Sequence, residues 1–510
     1  MDLMHGRVRL TPRPLQSSTP ALEVAMLGHA PGKVRLSRLS DAALLELHRL
    51  GYGKILKELR ESISRIEQGE ITDDIDEAEL DALENLYHLP IALHSQAEFD
   101  DLFPQAKQLA CSYKSAIAGE LAWLPQAVED FFANGGEKVW IIRIPQALHQ
   151  DGFMAAKPIN LHEVESLQGL AVPLAIQEVG LIAFPDLERI SLAEELQDIP
   201  RNQLKNPDPQ FLPCNTNLDD DHRERRYSNE LPHPQEHYPV IVVIRTIAKT
   251  LHQYRPDMQC LYSLPLEYSS NQGKPIMDQI TIDQIESMKF DEDGYLLRHV
   301  QLIFPYLRSM RHPLVSGVGL IAGKQAHEAS AKGIWSSMAG LPLLTTAHPY
   351  PHISTQQIAP FRDKIGVGLI VNQSGKVCLD DERLAMPALH KRDYRVTELE
   401  KYKSYRSGEV ARFLGYLQRQ LRELGEMLIF NMDNRDPRPR FVLEEFFQRL
   451  YQLGALRGEF EEQAFQIRQN PSAENVIDFD IEIAPTFPID KFHLTFTNRT
   501  GEWLAEIANG

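Results

Sequence analysis

The spacing of hydrophobic positions changes period several times along the chain, and each change predicts an element. From Leu124, the apolar residues Ala127, Val128, Phe131 and Phe132 follow at i+3, i+4, i+7 and i+8, which predicts an amphipathic helix. Asn134, Gly135 and Gly136 stop it, because glycine takes the left-handed C-terminal conformation without strain. Val139, Trp140, Ile141 and Ile142 then run apolar without a break, as in a strand buried on both faces. A helix, a glycine turn and a buried strand make an α/β unit.

Shorter apolar runs at 22–28 and 179–184 predict further buried strands, the second ending at Pro185 and Asp186. The most β-branched run, 238–246, is also expected as a strand. Helices are expected over most of 37–90. Ser40 caps one carrying Leu44, Leu45 and Leu47 that stops at Gly51, and a second carries Leu56, Leu59, Ile63 and Ile66 up to Gly69. A third starts at Asp73 and Asp74 and carries Leu80, Leu83 and Tyr87. Further helices are expected at 280–288 and 296–310. In 393–454, Val410, Phe413, Leu414, Leu417, Leu421, Leu424 and Leu428 keep one face apolar, and a following helix runs from Pro439 through Val442, Phe446, Leu450 and Leu453 to Gly454. The chain closes on period 2. Ile477, Phe479, Ile481 and Ile483 alternate with Asp478, Asp480 and Glu482, and Phe492, Leu494 and Phe496 alternate with His493, Thr495 and Thr497.

Composition adds exclusions rather than chemistry. The 510 residues carry 53 basic and 71 acidic side chains, a net charge of −18, so clustered contacts to nucleic-acid phosphates are not expected. Cys111, Cys214, Cys260 and Cys378 lie far apart with no CxxC, which argues against a zinc knuckle or a disulfide framework and fits a reducing compartment. No 18-residue apolar run and no apolar leader segment is visible, so neither a membrane span nor a signal peptide is expected.

Catalytic motifs fail on spacing. Gly317, Gly319, Gly323 and Lys324 fit neither GxxxxGK[ST] nor GxGxxG, and are read instead as a strand–turn where small residues let segments pack closely. His348/His352 and His233/His237 have the i, i+4 spacing of a helical metal pair, but prolines stand between them, so both are read as loop histidines. Asp219, Asp220, Asp221 and His222 read as a solvated loop, and the acids of 73–84 lack the glycine of a calcium loop. Cys378 has no neighbouring sequence signal of a nucleophile. No catalytic residue, cofactor or metal is assigned.

Two segments carry a resemblance. The first is 124–144, an apolar helix ending in Asn-Gly-Gly before a strand ending in Arg143. The second is 441–496: a helix, a Gly454-Ala455-Leu456-x-Gly458 turn, a strand with Phe465 and Arg468, then Ile483-Ala484-Pro485, Pro488 and Phe492. Together they resemble the tail sheath proteins of contractile phage tails and of phage-tail-like contractile injection systems. Weaker similarity is seen at 17–32, at 95–103, at the Pro-Asp strand end of 181–186, and at 316–343, where a glycine-rich strand is followed by Gly333-x-Trp335. The chain departs from the family at 377–386, where VCLDDERLAM replaces a Trp-Gly-Ala-Arg stretch, at its start, which lacks a Pro-Gly-Val-Tyr-type strand, and in the helical block 37–90.

The resemblance implies a mixed α/β, multidomain, sheath-like fold, with a C-terminal α/β domain built from both chain ends and an inserted outer domain. The expected divisions are an arm at 1–21, a first core part at 22–145 with the helical insertion, an outer domain at 146–315 with a loop at 197–239, a return segment at 316–392, and a C-terminal domain at 393–510 ending in a strand arm. It implies a non-enzymatic subunit that polymerises as stacked hexameric rings around an inner tube, meets baseplate and cap proteins, and switches from extended to contracted packing to eject the tube. A specialised ring at baseplate or cap is the variant that the departures suggest. Expected with it are assembly in a prokaryotic cytoplasm, a place in a virion or phage-tail-like particle, and neither nucleic-acid binding nor membrane insertion. Ile477, Phe479, Ile481, Ile483, Phe492, Leu494 and Phe496, with Asp478, Asp480 and Glu482, are expected in the sheet at the subunit or tube interface. The alternatives are a soluble α/β enzyme with its site at strand ends near 180–190 or 316–335, and a baseplate adaptor that does not polymerise.

Overall fold

A computed structural model describes residues 21–70, 72, 86–104, 109, 118–155, 158–192, 239–268, 275–386, 405–427, 437–470, 476–487, 492–499 and 502–509. The expected arm, the helix beginning at Asp73, the 197–238 stretch with Asp219–His222 and His233/His237, Cys111, Cys214, Leu428 and Pro488 lie outside the described residues.

The described strands are β1 (Glu23–Gly28), β2 (Pro90–Leu93), β3 (Val139–Arg143), β4 (Val179–Ala183), β5 (Gln259–Ser263), β6 (Leu266–Tyr268), β7 (Pro275–Met277), β8 (Val300–Phe304), β9 (Tyr306–Arg308), β10 (His348–Tyr350), β11 (Gly368–Gln373), β12 (Lys376–Leu379), β13 (Phe465–Asn470), β14 (Val476–Ile483), β15 (Phe492–Arg499) and β16 (Glu502–Asn509). Eight form a central sheet in the order β12-β11-β8-β5-β4-β1-β3-β2. Its inner six strands are parallel, and β2 and β12 pair antiparallel at the two edges. Chain order reverses between β1 and β4, as in other doubly wound sheets with a switch point there. Residues 146–315 thus supply β4, β5 and β8 to the sheet that also holds β1 and β3. β13 to β16 form a separate antiparallel sheet in sequence order.

Inner parallel strands are covered on both faces, which is why β1, β3, β4, β5 and β8 read as apolar runs with almost no solvent contact. The helix Leu124–Ala133 stops as expected, with Gly135 at φ +90°. Asn134 ties this stop to a distant segment. Its side chain accepts from the Leu344 N–H (2.8 Å) and donates to the Leu344 carbonyl (3.1 Å). Ser40 caps Asp41–Arg49 by accepting from the Ala43 N–H, and the next helix, Gly53–Glu67, precedes Gly69. The helices Gln279–Phe290, Gly408–Met427 and Arg438–Gln452 also stand where periodicity put them.

Three expectations are corrected. The run 238–246 is not a strand but the start of the helix Val240–Tyr254. Val243, Ile244, Ile247, Ala248 and Leu251 are buried at helical spacing, so packing of that face outweighs β-branched propensity. Residues 296–310 are not a helix: a 3₁₀ segment, Gly294–His299, leads into β8 and β9, whose apolar run is buried in the sheet. The glycines near Lys324 lie not in a strand–turn but in the helix Val318–Lys332. The close packing expected of them is present. A Cβ on Gly319 would lie 2.3 Å from the Ala127 carbonyl oxygen, and one on Gly323 2.3 Å from that of Phe131. The two helices therefore cross backbone to backbone.

Gly323→Ala is expected to destabilise the chain by about 1–3 kcal/mol through overpacking, despite alanine's better helix propensity. Gly53→Ala, where nothing lies within 4 Å of the added carbon, is expected to be neutral or slightly stabilising. Chemical denaturation of both variants checks the contrast.

Candidate assembly surface

The alternation of β14 sorts its side chains onto two faces. Ile477, Phe479, Ile481, Ile483, Leu494 and Phe496 are buried within the chain. Phe479 pairs with Phe496 and Ile481 with Leu494, and Phe496 stacks on Trp503 of β16 at 4.4 Å between ring centroids. Phe492 pairs with Ile483 in the β14–β15 register. Apart from Phe492, of which only the backbone register is described, these apolar residues form the core between the sheet and the helix Gly408–Met427, which packs along β16, where Trp503 meets Gly425.

The opposite face is polar. Asn470, Asp478, Thr497 and Leu504 form one row across the four strands; Arg468, Asp480, Thr495 and Glu506 form the next; Gln466, Glu482, His493 and Ala508 form a third. Asp480 and Glu506 are exposed, and Asp478 and Glu482 half-buried. Asp478 accepts from the Thr497 hydroxyl (2.5 Å), and Asn470 donates to both Asp478 and Asp480 (3.0 Å each). Of the ten residues expected at an interface, the carboxylates lie on the outward face, and Ile477, Phe479, Ile481, Ile483, Leu494 and Phe496 lie beneath the sheet. β16 was not foreseen: Glu502–Asn509 breaks strict alternation, with Leu504 outward and Ala505 and Ile507 inward. β13 and β16 each have one neighbour in the sheet, so both outer edges carry unpaired backbone groups among the described residues.

The two parts of the closing sequence pattern meet in space. The helix Arg438–Gln452 ends before Gly454 at φ +81°. The turn after it bonds to the residues after β14: Leu456 bridges Pro485, the Arg457 N–H donates to the Ala484 carbonyl (2.8 Å), and the Thr486 N–H donates to the Ala455 carbonyl (3.0 Å). The Ala484 N–H reaches the Ala464 carbonyl just before β13 (2.8 Å). In the other segment, buried Arg143 at the end of β3 donates to the Ala30 and Gly32 carbonyls and stacks on Tyr87, fixing the loop after β1.

An α/β enzyme of this topology would use the crevice at the switch point between β1 and β4. That position is filled by the chain itself. Buried Asp186 accepts from the N–H groups of His29 (2.8 Å), Trp123 (2.8 Å) and Leu124 (3.0 Å), so it caps the helix Leu124–Ala133 and holds the loop after β1. A Cβ on Gly28 would lie 2.6 Å from the Asp186 carboxylate. Beside it, Glu188 accepts from the Ser263 N–H (2.9 Å), next to the hydroxyl pair of Ser263 and Ser316 (3.0 Å). The free cysteines Cys260 and Cys378 are buried, and burial pushes both thiols up, away from nucleophile chemistry. His348 lies in the strand β10 rather than in a loop, and His352 beyond its end, so the two do not share a helix face. Among the described residues no three His, Cys, Asp or Glu side chains converge as a metal set, and no helix is long and apolar enough to cross a membrane.

Solved structures that match this chain include sheath proteins of contractile systems. The helical sheath of the anti-feeding prophage in its contracted state matches with a TM-score of 0.48 at 13% identity, over 93% of this chain and 93% of that one. The sheath tail protein from Desulfitobacterium hafniense matches with a TM-score of 0.48 at 7% identity, over 96% of this chain and 99% of that one. The sheath complex of the extracellular contractile injection system PVC, in its contracted state, matches with a TM-score of 0.46 at 12% identity, over 79% and 84%. No family model and no curated protein sequence matches the chain.

Glu188 at the filled crevice gives the site a testable electrostatic signature. Burial raises its carboxyl to about 8, against which the Ser316 and Ser263 hydrogen bonds act only partly, and Oε2 has no partner. The unfolded chain ionises this group near its ordinary value, so Glu188 subtracts stability progressively as pH rises from about 5 to about 8. Glu188→Gln is therefore expected to stabilise the protein, by about 1 kcal/mol at pH 5 and by about 4 kcal/mol at pH 8. Denaturation midpoints across that range check the slope.

Proposed function

We propose that this chain is a structural subunit of a contractile sheath. It polymerises as stacked rings around an inner tube, with baseplate and cap proteins at the ends, and changes packing to drive the tube out. The reading is supported chiefly by the closing pattern: residues separated by some thirty positions, singled out in sequence by their resemblance to sheath proteins, bond to each other as one joint that launches both β13 and the end of β14. Crevice-filling by Asp186 favours a structural role over the enzyme alternative.

Assembly follows from the edges. A strand from a neighbouring copy can add to β16 or β13 by backbone hydrogen bonds, and head-to-tail contacts of this kind extend into helical filaments. The first twenty residues suit β16. In Arg7-Val8-Arg9-Leu10, two apolar residues alternate with two bases. Laid beside β16, Val8 and Leu10 would continue the face of Ala505 and Ile507, and the arginines would face Glu506. Removing 487–510 would not test an arm, because it strips Leu494, Phe496 and Trp503 from the chain's own core.

Deletion of residues 2–20 is the cleaner experiment. Electron microscopy of the purified full chain is expected to show rings or tubes at high concentration, and the deletion variant to remain in small particles with an unchanged melting temperature. Small monodisperse particles from the full chain at every salt and protein concentration would overturn the reading.

A further inference from the structure

The helix Gly408–Met427 lies between the two sheets, and its faces are chemically different. Val410, Phe413, Leu414, Leu417, Leu421 and Leu424 share the apolar side. The opposite side carries Gly408, Arg412, Gly415, Arg419 and Arg422, a stripe with the three- and four-residue steps of one helix face. This stripe docks on the central part of the chain at two acids from different loops.

The same contact is made twice. Gly408 donates its N–H to the Glu382 carbonyl (2.7 Å), and Arg412, four residues on, pairs with the Glu382 carboxylate (2.9 Å). Gly415 lies against the Asp257 carbonyl, where an added Cβ would come within 2.2 Å. Arg419, again four residues on, donates to that carbonyl (2.8 Å) and pairs with the Asp257 carboxylate (3.4 Å). Each notch is thus a glycine on an acid's backbone and an arginine on its carboxylate, and the unit Gly-x-x-x-Arg recurs after seven residues. Both acids are locked from the central side. Glu382 also accepts from Gln325, Ser337 and the Met338 N–H. Asp257 pairs with Arg255, whose guanidinium donates to the carbonyls of Leu174, Ile176, Gln177 and Val179.

We propose that this helix is a keyed joint, whose two Gly-x-x-x-Arg notches set the register of the C-terminal sheet on the central sheet and let that sheet undock as an intact piece. A paired buried charge adds little net stability over an apolar seam, but a mismatched one costs heavily, so charge notches are better at fixing position than at holding tight. The apolar face of the helix stays with β14–β16 when the notches open, with Phe413 on Phe487 and Trp503 on Gly425. On the central side, Trp335 then parts from the ring of Phe413. The joint is read from the single chain. Its use as a turning point while the sheet is held by a neighbour rests on the sheath reading.

Gly415→Ala tests the joint, because it improves helix propensity while driving a methyl group into the Asp257 carbonyl. Hydrogen exchange is measured on the unassembled full chain, and Arg419→Gln, which removes the helix's side of the same notch without adding bulk and leaves Asp257 paired with Arg255, guards against a folding defect of the first variant. Expected in both variants is exchange faster by about ten- to a hundredfold at 257–261 and 408–419, with wild-type protection across β13–β16. Protection lost equally in both sheets, or unchanged everywhere, would overturn the joint. Since no lattice is involved, failure of the joint and failure of tube formation are separate results.

Discussion

A carboxylate withdrawn from water is costly unless donors answer it, and three of the buried carboxylates among the described residues are answered at seams between layers. Asp186 holds the loop after β1 to a helix start, Asp257 receives three arginines, and Glu382 receives Arg412 and three other donors. Burial alone would raise Asp257, yet Arg255, Arg419 and Arg422 outweigh it and hold the carboxyl well below the usual range. Hydrophobic burial makes each layer; these acids decide how the layers sit on one another. An apolar seam tolerates sliding, but an arginine displaced by one turn leaves a charge stranded.

Much of the layering was legible in sequence, because buried parallel strands and amphipathic helices write simple periods. β1, β3 and β4, the helix after Trp123 and the helix after Ser407 were all readable from apolar spacing alone. The errors fell where local propensity and tertiary environment disagree. The run 238–246 is β-branched but packs one helical face on the sheet, and 296–310 mixes leucines at helical spacing with a strand that exists only because β5 and β11 flank it. A single sequence does not display that neighbourhood.

The two faces of the closing sheet were legible in half. Period 2 in β14 separated acids from apolar residues correctly, but periodicity cannot say whether an apolar face is covered by the chain's own helix or by a neighbour's. Here Trp503 and the Gly408–Met427 helix cover it, so the carboxylate face is the one turned outward. The stretch 377–386, a departure from the sheath pattern, contains Glu382, the acid on which one end of the joint rests. The polar stripe of the Gly408–Met427 helix was also in plain view, since Gly408, Arg412, Gly415 and Arg419 recur after seven residues. Its meaning was hidden because the partner acids lie 30 and 162 positions away.

This division of labour gives the buried charge a purpose under the sheath reading. Among the described residues the C-terminal sheet has one neighbour at each outer strand and an acid face, features suited to engaging neighbours. The helix Gly408–Met427 joins that sheet to the central one, so a load on either would pass through it. Hydrophobic packing would transmit that load through a continuous, deformable seam. Two charge notches seven residues apart, about 10.5 Å along a helix axis, would transmit it at two points of defined register. Such a joint is either seated or unseated with little between, because half-paired buried charges are the costliest arrangement. Bistability of that kind is what a subunit needs if it is to hold one packing and then adopt another.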